Sequence, residues 1–449
     1  MDSSLTEACG PPRALGRNEA LLPNRAQDRF DKDSFKQIFR DHWDTFTAAY
    51  PRFDTPYYDR VIAKMLACGD PDKMGFAQYR CFSCGATRKI AFSCKSCFCL
   101  SCAKVYADHW VEFIGRRLFP GVVYRHIVLT VPEYLRLWFY RQADLLSPLM
   151  RAGHACLHDV FTTCTHVDLD IGSVIVLQTT GRPGNYNPHL HILVPVGGID
   201  PQGRWKTIRF IPFDLLHRTW QYHLLTMLRE QIDDPNIGPD IDHGFTHYPK
   251  GFVANVQPGD VPPGGKGLAE YLAKYLVSPP ISVHRIERYD GQTVTYWYRD
   301  HRTQAIQHTT LPVLRFIGRM VQHILPKGFQ RIRYYGLHSH RRYETVRQTL
   351  AARPRADASS DSRGYRVVPR KPFAQRFTET FGTDPLRCPT CGDTMDLEVI
   401  YHPAHGILYD FLASGWESPH EPTARASPDR LRGPVDRAQH LVQLPLPRV

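Results

Sequence analysis

The stretch Asn187-Pro-His-Leu-His-Ile-Leu-Val194 is apolar and branched after its proline, the composition of a β-strand. Alternate side chains of a strand share a face, so His189 and His191 point together while Leu190 packs behind them. Just upstream, Gly181-Arg-Pro-Gly-Asn-Tyr-Asn-Pro188 is dense in turn formers, and Gly172–Thr180 reads as a further strand. Strands joined by so short a turn pair antiparallel. Gln178, in phase with Val174 and Val176, then faces the same side and becomes the third candidate ligand. Two imidazoles and one amide leave coordination positions open, which suits Mg²⁺ or Mn²⁺ acting as a Lewis acid on phosphate. Alone, the pattern is unspecific. With 22 histidines about one His-x-His arises by chance, and His338 with His340 forms another in a polar, loop-like setting.

About eighty residues further on comes Glu270-Tyr-Leu-Ala-Lys-Tyr-Leu276. Tyr271 and Tyr275 are four apart and stack on one helical face, with Lys274 between them as the third candidate catalytic residue. A buried aromatic stripe is the ordinary reading of such spacing, but Glu270 and Lys274 make the helix amphipathic. Gly264-Gly-Lys-Gly267 before it is a loop able to feed the helix beside a substrate. A phenol, with a pKa near 10, is a weak nucleophile until deprotonated or set against an activated phosphate. A metal at the histidine pair supplies that activation.

The cysteines carry the strongest local signal. Cys81-x2-Cys84, Cys94-x2-Cys97 and Cys99-x2-Cys102 fall within twenty-two residues, with Cys68 just upstream. Zinc accepts four such thiolates tetrahedrally. Ribbon-like spacing favours Cys81, Cys84, Cys99 and Cys102 as one site, leaving Cys68, Cys94 and Cys97 for a second, with His109 as a further ligand. Arg80, Arg88, Lys89, Lys95 and Lys104 make the module basic enough to meet nucleic acid. Cys388-Pro-Thr-Cys391-Gly is another knuckle, with His402 and His405 at usable distance.

The chain has 449 residues, 42% hydrophobic, with a net charge of +12. These values describe a folded protein of two or three domains that favours an acidic partner. The first thirty residues lack the apolar core of a signal peptide, and no apolar run reaches bilayer length. The expected setting is therefore a reducing cytoplasm with no membrane partner, where clustered cysteines bind metal. The expected division is a mobile leader over 1–30, a helical and zinc-binding domain over 31–115 and a catalytic domain over 118–345. A linker over 346–379, a small zinc-ribbon-like module over 380–412 and a disordered tail over 413–449 complete it. Helical periodicity covers Leu135–Cys164 and Leu311–Leu325, and Val122–Val131 and Thr293–Tyr298 read as strands.

Taken together, these motifs resemble the two-tyrosine rolling-circle transposases of the HUH (His-hydrophobe-His) class, specifically the insertion sequence ninety-one family. The points of likeness are Ser93-Cys-Lys-Ser-Cys-Phe-Cys-Leu-Ser-Cys102, Asn187–Val194, Tyr271-Leu-Ala-Lys-Tyr275, Pro280-Ile-Ser282 and Leu325-Pro-Lys-Gly-Phe-Gln-Arg-Ile-Arg-Tyr-Tyr-Gly336. Cys97 departs from the family, which more usually has a polar or basic residue there. The resemblance implies an α+β fold, with an HUH palm of antiparallel sheet flanked by helices and an N-terminal zinc-binding module. It also implies cleavage of single-stranded DNA at transposon ends through a 5′-phosphotyrosine, in a bacterial cytoplasm on the nucleoid. His189 and His191 take the metal-ligand role and Tyr271 and Tyr275 the nucleophile role. In the run from Lys327 to Arg342, Arg331, Arg333, Arg341 and Arg342 are expected to meet phosphates while Tyr334 and Tyr335 stack on unpaired bases. The alternatives are a rolling-circle replication initiator or relaxase, and a catalytically inactive zinc-dependent repressor derived from a transposase.

Overall fold

The computed structural model of the protein describes residues 32–208, 210–257, 261, 280–300, 303–351 and 371–411. In chain order its strands are β1 (Phe76–Arg80), β2 (Thr87–Ala91), β3 (Tyr124–Thr130), β4 (Gly172–Thr180), β5 (Tyr186–Pro195), β6 (Gly197–Ile199) and β7 (Trp205–Thr207). There follow β8 (Ala254–Val256), β9 (Ile286–Tyr289), β10 (Thr293–Arg299), β11 (Ile306–Pro312), β12 (Ile332–Gly336), β13 (Asp396–His402) and β14 (Gly406–Asp410).

The central sheet runs β12-β4-β5-β3-β8 and is antiparallel throughout. One face is uniformly apolar: Ile127, Leu129, Ile175, Leu177, Leu190 and Ile192 are buried against the helices Leu146–Thr165 and Phe213–Gln231. Each such side chain contributes about 1.5–3 kcal/mol when removed from water, so this face fixes the sheet's register. Gly153 is part of the fit. A Cβ there would stand 2.5 Å from Leu190 Cδ1, so a larger residue would have to displace that side chain for the helix to lie this close behind the histidine strand. The opposite face is divided. Val174, Val176 and Leu193 lie under Val111 and Ile114 of the helix Ala103–Gly115. Toward the β4–β5 turn the same face becomes polar, with Gln178, His189 and His191.

A second core joins distant segments. Phe35, Phe39 and Phe46 of the helix Lys32–Ala49 pack with Tyr296 of the β11-β10-β9 sheet and with Phe316 and Met320 of the helix Val313–Val321. The first helix therefore shares its core with residues expected in the catalytic domain. A third assembly runs β14-β13-β1-β2, so the C-terminal hairpin extends the N-terminal one in a single sheet. The 380–412 segment, expected as a separate module, is built into the N-terminal one. Segment 346–379, expected as a linker, begins and ends in the helices Tyr343–Ala351 and Phe373–Phe381.

Both long helical expectations shorten. Leu135–Cys164 divides into helices Arg136–Arg141 and Leu146–Thr165, because Pro148 lacks an amide hydrogen and its ring would clash with the carbonyl four residues back. Pro312 likewise ends β11 and caps the helix Val313–Val321, which leaves Leu311 in the strand. The α+β class stands: helices and antiparallel sheet occur together, with two clusters of four cysteines among the described residues.

Candidate functional site

The β4–β5 register sets Gln178 opposite His189 and Val176 opposite His191. His191 Nε2 lies 3.0 Å from Gln178 Oε1. Two oxygen or nitrogen ligands at right angles around Mg²⁺, each at about 2.1 Å, stand about 3.0 Å apart, so this spacing fits adjacent ligands on one ion. His189 Nδ1–H donates to the Asn187 carbonyl oxygen at 2.7 Å, which fixes the tautomer with the lone pair on Nε2. A metal-ligating histidine carries this arrangement. The donor set therefore fits a divalent cation at His189, His191 and Gln178.

Sequence reading missed His126. It lies on β3, its Nε2 is 2.9 Å from His191 Nδ1, and the two rings stack with centroids 5.0 Å apart. The signal was present in the strand Val122–Val131, but only the β3–β5 pairing brings that strand beside the His-Leu-His strand. All three imidazoles are held neutral. Burial first, and the neighbouring His189 and His126 second, push His191 well below the usual imidazole range. Burial followed by His189 lowers His126 to about 4. His189 is lowered by burial, partly opposed by its bond to Asn187. Neutral rings are the form that binds metal.

The turn before His189 is held from outside. Gly184 adopts φ +81°, in the left-handed region that glycine enters without strain. Its carbonyl accepts from Gln322 Nε2 at 3.0 Å and His323 Nε2 at 3.1 Å. Pro183 O accepts from Tyr296 Oη at 2.8 Å and Arg319 Nη1 at 3.2 Å, and Arg285 donates to Arg182 O. The β9–β11 sheet and the helix after it thus clamp the hairpin that presents the histidines.

Tyr271, Lys274 and Tyr275 lie outside the described residues. The basic, aromatic run does not form one open face. Tyr334 packs on the face of β12 that pairs in phase with Val174, its ring 6.2 Å from Phe113, while Tyr335 stacks on His154 on the other face. Arg333 donates to Ser147 Oγ at 2.6 Å and Arg342 pairs with Asp170. Tyr334 and Tyr335, expected to stack on bases, are each half-buried and turned to opposite faces of the strand. Arg341 is exposed. Arg331 lines a cavity of about 220 Å³ with Tyr57, Phe98, Thr180 and Phe329, where β4 meets the zinc-binding module. His338 lies in the turn after β12, but its setting is not polar: it is fully buried, with its Nε2 2.8 Å from Tyr124 Oη.

The cysteines group differently from the spacing-based expectation. Cys68, Cys94, Cys99 and Cys102 converge, all buried, and Cys102 Sγ lies 3.3 Å from Cys68 Sγ and 3.5 Å from Cys94 Sγ. Cys81 and Cys84 instead meet Cys388 and Cys391. Neighbouring knuckles in sequence are separated by β2 (Thr87–Ala91), which carries Cys94 away from Cys81 and back toward Cys68. Cys97, His109, His402 and His405 belong to neither foursome, and Cys97 lines the cavity instead.

Comparison with known proteins shows the family. A family model described as "Putative transposase" matches residues 172–345, and one described as "Transposase zinc-binding domain" matches residues 38–131. The "Transposase for insertion sequence element IS801" of Pseudomonas savastanoi pv. phaseolicola is 30% identical over 353 residues, 75% of this chain and 82% of the relative. "Putative transposase y4qJ" of Sinorhizobium fredii is 28% identical over 382 residues, 81% of this chain and 94% of the relative. No solved structure matches. The chain belongs to the insertion sequence ninety-one family of transposases. The zinc-binding match encloses all of Cys68, Cys94, Cys99 and Cys102, the residues that would hold its structural zinc. No helix among the described residues is long and apolar enough to cross a membrane.

Proposed function

We propose that the protein binds transposon-end DNA, nicks one strand and rejoins it through a 5′-phosphotyrosine, driving rolling-circle transposition. The observation that carries this reading is the convergence of His189, His191 and Gln178 on two paired strands, with His189 oriented by Asn187 and His191 by His126. A bound Mg²⁺ or Mn²⁺ would withdraw charge from the scissile phosphate. The three side chains would hold the cation and through it fix the phosphate in one orientation, and a neutral imidazole can offer a metal one ring lone pair.

The nucleophile is assigned to Tyr271 or Tyr275. The phenolate oxygen bonds to phosphorus, the 3′-oxygen leaves as a hydroxyl after taking a proton from solvent, and the phenolic proton passes to solvent. One phosphodiester replaces another, so the bond energy is conserved and rejoining needs no ATP. Two tyrosines allow two successive transfers. Arg331 and Arg341 are assigned to phosphate contact.

The test is incubation with a single-stranded oligonucleotide carrying the element end and Mg²⁺ or Mn²⁺, followed by a denaturing gel. A covalent protein–DNA band is expected, absent from the Tyr271→Phe/Tyr275→Phe variant. Cleavage without a covalent adduct would sink the tyrosine mechanism. DNA binding without cleavage under any metal condition would favour the inactive-repressor reading.

A further inference from the structure

We infer that Cys81, Cys84, Cys388 and Cys391 form a second zinc site, which closes a single zinc ribbon from the two ends of the chain. Neither the zinc-binding match over residues 38–131 nor the match over residues 172–345 reaches Cys388 and Cys391.

Three observations converge on it. The first is distance. Cys81 Sγ is 3.5 Å from Cys391 Sγ, and Cys84 Sγ is 3.6 Å from Cys388 Sγ. Thiolates at about 2.3 Å from a tetrahedral zinc stand about 3.7 Å apart, so each sulfur of one knuckle sits near a ligand distance from the other. The second is that the two knuckles have the same backbone. Gly85 N–H donates to Cys81 O at 2.8 Å, and Gly392 N–H donates to Cys388 O at 3.0 Å. Both glycines follow the second cysteine and take a left-handed φ, +74° and +78°. Cys81 N–H donates to Ala86 O at 2.8 Å and Cys388 N–H to Asp393 O at 2.7 Å, so each turn closes alike.

The third observation is the smallness of what the site would hold together. The fully buried part of the core joining the two hairpins is Ala77, Tyr79, Cys81, Cys388, Met395, Leu397 and Ile400, with six half-buried hydrophobic residues packed around it. A cluster of that size does not sustain a sheet by apolar burial alone, and a structural metal is the usual substitute. The polar bonds across the seam support the same closure. Glu398 is buried and accepts from Arg80 Nε at 2.6 Å and Gln78 Nε2 at 2.9 Å. Zinc would enter as the four thiols lose their protons to solvent. The ion would tie residue 84 to residue 388 across the whole catalytic region, making the C-terminal hairpin part of the N-terminal module. Cys84 and Cys391 are exposed, whereas the other foursome is buried, so a chelator reaches this zinc first.

The inference does not rest on the DNA chemistry, and its test reads metal and thiols only. Elemental analysis of the purified full chain is expected to find two zinc ions, falling to one in Cys388→Ser/Cys391→Ser and in Cys81→Ser/Cys84→Ser. Two ions retained in the Cys388→Ser/Cys391→Ser variant would overturn the site. Should either variant fail to fold, the natural chain decides by alkylation. With zinc present, iodoacetamide should spare the exposed Cys84 and Cys391, and chelation should expose both together. Equal labelling of Cys391 with and without zinc overturns the inference.

Discussion

The β4–β5 hairpin and the β14-β13-β1-β2 sheet each gather side chains of metal-ligand chemistry, but by opposite routes. In the hairpin, Gln178, His189 and His191 lie within fourteen residues, and the pleat alone puts them on one face. In the split sheet, Cys81 and Cys391 are 310 residues apart in sequence, and only the β1–β13 pairing brings their knuckles together. The hairpin site is locally encoded and globally clamped, through Gly184, Pro183 and the residues that bind their carbonyls. The cysteine site is globally encoded and locally simple. A site of the first kind fails by losing its chemistry, and one of the second kind by losing its architecture.

That contrast can be broken or sharpened by experiment. The largest effect is expected from His189→Ala/His191→Ala. Losing a Lewis acid worth several kcal/mol should lower strand cleavage on the order of 10²–10³-fold or more, while zinc content stays at the natural value. A parallel loss of zinc would mean that the two regions are not independent. His126→Phe comes next. Removing the partner of His191 Nδ1 should cost about 10–100-fold in Mn²⁺ affinity or cleavage, with the melting temperature little changed by comparison. An unchanged metal titration would reduce His126 to a packing residue.

A pH experiment probes the sheet around the hairpin. His323 and His338 are buried, and burial, with nearby arginines as the next charges, lowers them to about 4 and about 3. Unfolding restores an ordinary imidazole, so below about pH 6.5 the unfolded chain binds more protons than the folded one. Stability is therefore full above that pH and is lost as pH falls toward 4 and then 3, by on the order of a few kcal/mol per histidine. Melting temperatures across this window should fall steeply for the natural chain and less steeply for His338→Gln. The smallest effect is expected from Arg331→Ala. One lost phosphate contact should reduce the slope of log affinity against log salt for single-stranded DNA by about 0.7. An unchanged slope would remove Arg331 from the DNA path.

Much of the hairpin was legible because its determinants are local. Gly172–Thr180 is a strand over the expected bounds, and a turn from Gly181 to Asn185, shorter than expected because the second strand already starts at Tyr186, brings Gln178 level with His189. Elements of the sheet that needed distant partners were harder. The clamp on Gly184 comes from residues 322 and 323, and His126 becomes a neighbour of His191 only through cross-strand pairing. Tyr334 and Tyr335 looked like an exposed aromatic run. In a half-buried strand packed on both faces, however, consecutive side chains turn toward opposite clusters.

The sequence by itself determined which residues can bind metal and which can share a strand face, since thiolate and imidazole chemistry and the two-residue period belong to the local chain. It also placed the chain among the transposases of its family through the order of those motifs. Which cysteine meets which was decided only by the tertiary structure. A C-x2-C knuckle supplies two ligands and leaves the other two to whatever surface packs against it. The short β2 strand turns Cys94 toward Cys68, and the C-terminal hairpin brings Cys388 and Cys391 to the vacant side of Cys81 and Cys84. Nearness in sequence favoured a different foursome because spacing measures chain length, whereas coordination needs convergence in space.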